Sequence, residues 1–276
     1  MSRRRSFQLA LLLGPAVALV GLLFLFPLFG VMKQSLFNPG FTLESFDKLV
    51  SSPVAAIVMR RTFVLALSVT ALCCVLGYPL AYFLATMSKR WRAFFLYLIL
   101  LPFWISVLIR TYTWMVLLGR EGLVNNALIG LGITDEPVQM LFTGFAVHLA
   151  MVQILLPIVI LTCFASMVEI DPQLVRAART LGATPFKAFA RVFFPMSIGG
   201  AAAGAIICFI LSLGFYVTPA LLGGRRNIML ANLIDFEVHQ TLNWSFASAL
   251  ALVLLAATLV LLGLFRLVAP ERRLHG

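Results

Sequence analysis

Hydrophobic residues run along this chain in long blocks, with polar residues confined to the stretches between them. Residues 9–32, 62–88, 137–168, 192–224 and 238–265 contain no Asp, Glu, Lys or Arg, and 93–118 is interrupted only by Arg110. A run of about 20 apolar residues is long enough to cross a bilayer. The pattern therefore predicts an all-α membrane protein with six transmembrane helices, at about 9–32, 62–88, 93–118, 137–168, 192–218 and 244–266. It also predicts one membrane domain over 1–276, with no soluble part large enough to fold alone.

The most polar long interval, 169–200, breaks this rhythm. Asp171 followed by Pro172 reads as an N-cap with proline at the first helical position. Leu174, Ala177, Ala178 and Leu181 recur at i, i+3, i+4 and i+7, on one helical face. Gly182 stands where a left-handed cap would end the helix, with Ala183 beyond it. The spacing predicts a short helix over about 172–182, roughly 15 Å long at 1.5 Å per residue. Thr184 and Pro185 restart the chain, and Phe186, Phe189 and Phe193 form a second stripe leading into the fifth span. On the residues alone two readings are open. The helix could lie on the membrane with Arg176, Arg179, Lys187 and Arg191 over anionic lipid, or it could present its small-residue face to a groove on a soluble partner.

Charge then orients the spans. An even number of crossings places both termini on one side, and basic residues mark the cytoplasmic side. With cytoplasmic termini, thirteen of the 21 basic residues lie inside against three acidic ones, giving +10 inside and +1 outside of the net +11. The basic balance thus reports topology and gives no support to nucleic-acid binding. Composition agrees: 62% hydrophobic, 11% charged, mean hydropathy +1.03. The first span follows three arginines but is too long for a signal peptide and lacks a small-residue cleavage site.

Few side chains carry obvious chemistry. Arg110 either snorkels to the outer surface or is held in the bundle as a polar contact or substrate ligand. Trp104, Tyr112 and Trp114 read as interfacial anchors, core, or aromatic faces for a cation. His148 in the fourth span has no acidic neighbour and reads as a hydrogen-bonded packing residue. The small residues 199–204 predict a close helix contact, within the chain or with a second subunit. Phe215, Tyr216 and Pro219 predict a bend at the outer end of the fifth span. Leu230, Leu233, Ile234 and Glu237 share one face of a short helix in the last outer loop, and Asp235 and His239 share another. Cys73, Cys74, Cys163 and Cys208 all lie in spans without metal or redox spacing, so no metal site is expected. There is no Walker A sequence, no H-E-x-x-H and no G-x-S-x-G. No span contains an acid to relay protons, and no 3+3 repeat is visible. An intramembrane enzyme and a self-contained, proton-driven carrier are thereby disfavoured, and a transport subunit driven by another protein fits better. A stand-alone channel or carrier and a structural membrane anchor are the rival readings.

The run from Leu174 to Ala183, with Pro195 beyond it, resembles the E-A-A loop of permease subunits of binding-protein-dependent ABC importers. The motif's glutamate is replaced by Arg176. Ile109-Arg110-Thr111-Tyr112, Gly122-Leu123-Val124-Asn125 and residues 215–224 are similar to the first permease of spermidine/putrescine importers. Related branches carry opines, other organic cations, ferric iron or sulfate. The resemblance implies the type I (MetI-like) permease fold in the bacterial inner membrane, with a coupling helix between spans 4 and 5. It implies a second, homologous permease, two ATPase subunits that bind ATP and Mg, and a periplasmic substrate-binding protein. Asp171, Leu174, Arg176, Ala177, Ala178, Leu181, Gly182 and Ala183 would form the ATPase-coupling element, with an altered ATPase surface expected opposite Arg176. For a polyamine the pathway candidates are Arg110, Tyr112, Trp114, Phe215, Tyr216, Asp235 and Glu237.

Overall fold

A computed structural model of the chain describes residues 3–37, 40–224 and 227–268. Thirteen helices are named in chain order: α1 (Arg3–Leu36), α2 (Glu44–Ser51), α3 (Pro53–Thr86), α4 (Lys89–Leu100), α5 (Val107–Leu118), α6 (Leu123–Gly130), α7 (Gly144–Val168), α8 (Pro172–Thr180), α9 (Pro185–Ala188), α10 (Phe194–Leu213), α11 (Val217–Leu222), α12 (Leu230–His239) and α13 (Trp244–Val268). Among the described residues five helical stretches are long and apolar enough to cross a membrane, and the number reaches six if a bent pair counts as one crossing.

That bent pair is the predicted third span. Residues 89–104 and 107–130 meet at 95° rather than forming one rod. Pro102 supplies no backbone donor, and the chain tightens into a 3-10 turn over Leu101–Trp104. Ile105 is extended, and the Ser106 hydroxyl then caps α5 by accepting from Leu108 N at 3.3 Å. Hydropathy alone could not show the break, because apolar residues continue on both sides of it. The fourth span is helical only from Gly144, with Thr143 as its N-cap, so 137–143 of the predicted span is a loop. The second span begins nine residues early, at Pro53. The bend expected after the fifth span is present, since α10 stops at Leu213 and α11 starts at Val217.

By contacts among the described residues the chain divides into two units, Met1–Ala56 with Leu233–Ala257, and Ile57–Asn232 with Thr258–Gly276. In the first, α1 shows apolar side chains around its circumference, and Phe24, Phe26 and Phe29 are all exposed. Such a surface suits lipid or another apolar helix rather than water. In this unit Lys48 lies 4.9 Å from the Phe246 ring centroid.

The second unit is built around α7. Val147, Ala150, Met151, Leu155, Val159, Ile160 and Cys163 are buried, and α10, α11 and α5 all pack on α7. In lipid the drive for such contact is close packing rather than escape from water. The small residues of α10 provide it: a side chain at Gly200 would collide with Ser166 and the Thr162 carbonyl, and one at Gly204 with Thr162. Gly199 faces open space instead. The predicted helix contact therefore lies within the chain, at least along the Gly200 and Gly204 face.

Two buried or half-buried polar side chains in this unit are hydrogen-bonded. His148 Nδ1 donates to the Gly144 carbonyl at 2.7 Å, and its Nε2 lies 2.7 Å from the Ser68 hydroxyl. This is the hydrogen-bonded packing role expected for it. Asn125 is fully buried and staples two loops, donating to the Gly119 and Val138 carbonyls at 2.9 and 3.1 Å and accepting from Val138 N at 2.9 Å.

Candidate coupling site

The 169–200 interval folds as its residue types dictate. Asp171 Oδ1 accepts from Gln173 N at 2.8 Å, and Pro172 opens α8. At the other end Gly182 has φ +90°, which an L side chain disfavours. Gly182 N donates to the Arg179 carbonyl and Ala183 N to the Ala178 carbonyl, both at 3.0 Å. These two bonds form a Schellman cap. The Thr184 hydroxyl then accepts from Lys187 N at 3.3 Å to start α9. The rod is fixed at both ends, yet none of its residues is buried.

Its two faces differ. One carries Leu174, Ala177, Ala178 and the capping Leu181, and Leu181 is 88% exposed. The opposite face, Pro172, Val175, Arg176 and Arg179, lines a cavity of about 500 Å³ whose far wall includes Tyr82, Arg92, Phe189 and Phe193. Arg176, which departs from the E-A-A pattern, thus looks toward its own bundle.

Beyond α9 the phenylalanine stripe is not continuous. A π-helical turn over Phe189–Phe193 inserts a residue into the helical repeat. Phe189 and Phe193 pack edge-on against Tyr82, at centroid distances of 5.3 and 5.0 Å. Phe186 is left 78% exposed on the side of the rod. The Tyr78 hydroxyl is 2.6 Å from that of Ser197. Arg92 grips the end of α3, donating to the Leu84, Ala85 and Met87 carbonyls at 2.9–3.1 Å, where the helix dipole favours a cation. α8 is therefore linked through the π turn and an aromatic clamp to the ends of α3 and α10. The sequence showed the rod but not the clamp, because Tyr78 and Tyr82 lie more than a hundred residues upstream of Phe189.

The pathway candidates are distributed over both units. In the second unit α5 packs on α11, and the buried Thr111 and Thr218 hydroxyls join them at 3.1 Å. This brings the helix of Arg110, Tyr112 and Trp114 against the segment that follows Phe215 and Tyr216. Tyr112 and Tyr216 are exposed, whereas Phe215 packs partly on the core and Trp114 Nε1 donates to Gln153 Oε1 at 3.5 Å. The Tyr216 carbonyl accepts from Asn232 Nδ2 at 2.9 Å. Arg110 is half-buried: its Nε and Nη1 are enclosed and have no hydrogen-bond partner among the described residues. Asp235 and Glu237 lie in the first unit. Asp235 pairs with His239 at 2.9 Å, and Glu237 accepts from the Thr241 hydroxyl at 2.6 Å. Gln153 was not singled out by the sequence, and Thr111 and Thr218 stood only within family-like stretches without a role, since isolated polar residues in apolar runs give no periodic signal. Among the described residues no three metal-ligating side chains converge.

The described residues thus form membrane-length helices with an exposed, capped rod between two of them. Residues 77–274 match the family described as binding-protein-dependent transport system inner membrane component, and the chain belongs to that family. It is 34% identical over 214 residues to the spermidine/putrescine transport system permease protein PotB of Escherichia coli K12, covering 78% of each chain. It is 29% identical over 265 residues to the inner membrane ABC transporter permease protein YdcU of the same organism, covering 88% of this chain and 83% of that one. It is also 27% identical over 256 residues to the putative 2-aminoethylphosphonate transport system permease protein PhnU of Salmonella paratyphi A, covering 90% of this chain and 87% of that one. Its fold is similar to a chain in the crystal structure of a bacterial alginate ABC transporter with an alginate-bound periplasmic protein. The TM-score is 0.78 at 20% identity, over 95% of this chain and 94% of that one. The chain is a multi-pass inner-membrane permease of an ABC importer.

Proposed function

We propose that this chain forms half of the pathway of an ATP-driven polyamine importer, with both termini cytoplasmic and α8 as the helix that receives force from an ATPase subunit. The observation that carries the coupling role is a nine-residue helix, capped at both ends, none of whose residues is buried. A rod that leaves its capping Leu181 88% exposed outside the spans calls for a covering partner. Two ATPase subunits, loaded with ATP and Mg, would supply the work, and a second permease would complete the pathway. A periplasmic binding protein would deliver the solute. Nucleotide binding and the outward-facing state must then favour each other.

Polyamine as cargo rests on the relatives named for spermidine and putrescine. Tyr112, Trp114, Phe215 and Tyr216 would offer aromatic faces to a polycation, and Asp235 and Glu237 carboxylates. Arg110 would repel it. A cargo bearing an anionic group is the second reading, favoured by Arg110 Nε and Nη1, which are buried without a partner among the described residues, since a partly desolvated guanidinium calls for a counter-charge. The test is purification of the intact assembly in mild detergent, identification of its subunits and bound solute, and reconstitution in liposomes. The expected result is ATP-dependent uptake of spermidine by the assembly and none by the single chain. Solute flux through the single chain without ATP would overturn the assignment.

A further inference from the structure

The cavity behind α8 has a composition that ATPase docking does not use. Its lining includes three arginines, Arg92, Arg176 and Arg179, and no acidic residue. Among the described residues the Arg176 and Arg179 side chains form no ion pair. Arg92 is held by carbonyls through Nε and one terminal nitrogen, which leaves its other terminal nitrogen without a protein acceptor. Beside these cations stands a wall of Tyr82, Phe189 and Phe193. A site for a small soluble anion would need the charges alone. A site with guanidiniums at one end and an aromatic wall at the other fits a ligand that is anionic at its head and apolar behind it.

The position selects the same ligand. The cavity opens where α3 and α7 end and where the π turn leads into α10, at the boundary of the membrane-spanning helices. Basic residues and aromatic rings at such a boundary meet lipid phosphates and the first methylenes of the acyl chains. About 500 Å³ accommodates a headgroup with the start of a chain, not a whole lipid. We infer that this cavity binds the headgroup of an anionic phospholipid, with the phosphate between Arg92, Arg176 and Arg179 and the glycerol end along Tyr82, Phe189 and Phe193. The lipid then wedges α8 from behind while Leu174, Ala177, Ala178 and Leu181 stay free on the other face. Replacing the motif's acid by Arg176 is what turns this cavity fully cationic. The inference rests on the chain being a membrane protein and is independent of whether α8 docks on an ATPase.

The test uses the full chain, purified in mild detergent, with dioleoyl-phosphatidylglycerol or dioleoyl-phosphatidylcholine added and bound lipid counted by native mass spectrometry. The wild type is expected to retain one phosphatidylglycerol under conditions that strip phosphatidylcholine. Arg176→Gln with Arg179→Gln, both on an exposed surface, should weaken that retention about thirty-fold, at the usual contribution of one basic residue near an anionic surface. Val175→Trp, which fills the cavity but keeps all three arginines, should also lose it, with folding checked by size-exclusion profile. Equal retention by wild type and the arginine variant would overturn the proposal. So would retention by a folded Val175→Trp chain, which would indicate surface charge alone. Displacement of the lipid by millimolar inorganic phosphate would overturn the lipid in favour of a soluble anion. Failure of ATPase subunits to co-purify would bear on the coupling role alone.

Discussion

Gly182→Trp should insert and fold normally yet lose ATP-driven uptake, to background. Two features of the residue separate these outcomes. Its φ of +90° is a conformation that costs a side-chain-bearing residue about 1–2 kcal/mol. A Cβ built at Gly182 meets nothing within 4 Å, so a side chain can leave the backbone there without a clash at its root. Strain at the cap is local and leaves the α7–α10 core intact. The bulk becomes harmful only when a partner closes on the rod. Gly182→Ala separates the two effects, because it carries the backbone strain without the bulk and should keep reduced but measurable uptake. Accumulation in the membrane fraction and uptake of labelled spermidine, measured on the same cells, decide the matter. Normal uptake by Gly182→Trp would remove α8 from the coupling path.

Gly200→Val should instead fail at the level of the fold. The added Cβ would lie 2.6 Å from the Thr162 carbonyl oxygen and on top of the Ser166 side chain. A backbone carbonyl of a neighbouring helix cannot swing aside, so α10 must move away from α7. Overpacking of this kind costs roughly 1–3 kcal/mol, and more where the obstacle is backbone, as here. The Ser166 hydroxyl, which donates to the Ser197 carbonyl at 3.3 Å, would lose that bond as well. Gly199→Val is the control one residue away: its Cβ meets nothing within 4 Å, and the purified chain should melt like wild type. Thermal unfolding in detergent should separate the pair clearly, and equal melting temperatures would contradict the α7–α10 packing.

Much of this architecture was legible from residue patterns because each feature had a local cause. Charge-free runs mark membrane helices because a buried charge is expensive in lipid. Asp171-Pro172 and Gly182 mark the ends of α8 through cap chemistry that needs no tertiary context. Other features depend on distant residues and left no local trace. The right-angle turn at Ile105–Ser106 sits inside a run that stays apolar on both sides. The placement of Phe189 and Phe193 depends on a π turn that shifts their face, which a regular 3.6-residue repeat hides and which sends Phe186 outward. Arg176 could be recognised as a departure from a motif, but only the three-dimensional position of Val175 and Arg179 beside it shows which way it faces. Arg110 was ambiguous for the same reason, since snorkelling and burial differ only in what surrounds the guanidinium.

The central claim, that the exposed face of α8 takes force from a nucleotide-hydrolysing partner, is met most directly by a photo-crosslinking amino acid at position 181 in the intact assembly. That side chain projects from the rod at 88% exposure. The account predicts a covalent adduct to the ATPase subunit whose yield changes between nucleotide-free and ATP-bound samples. An adduct to lipid alone, unchanged by nucleotide, would contradict it.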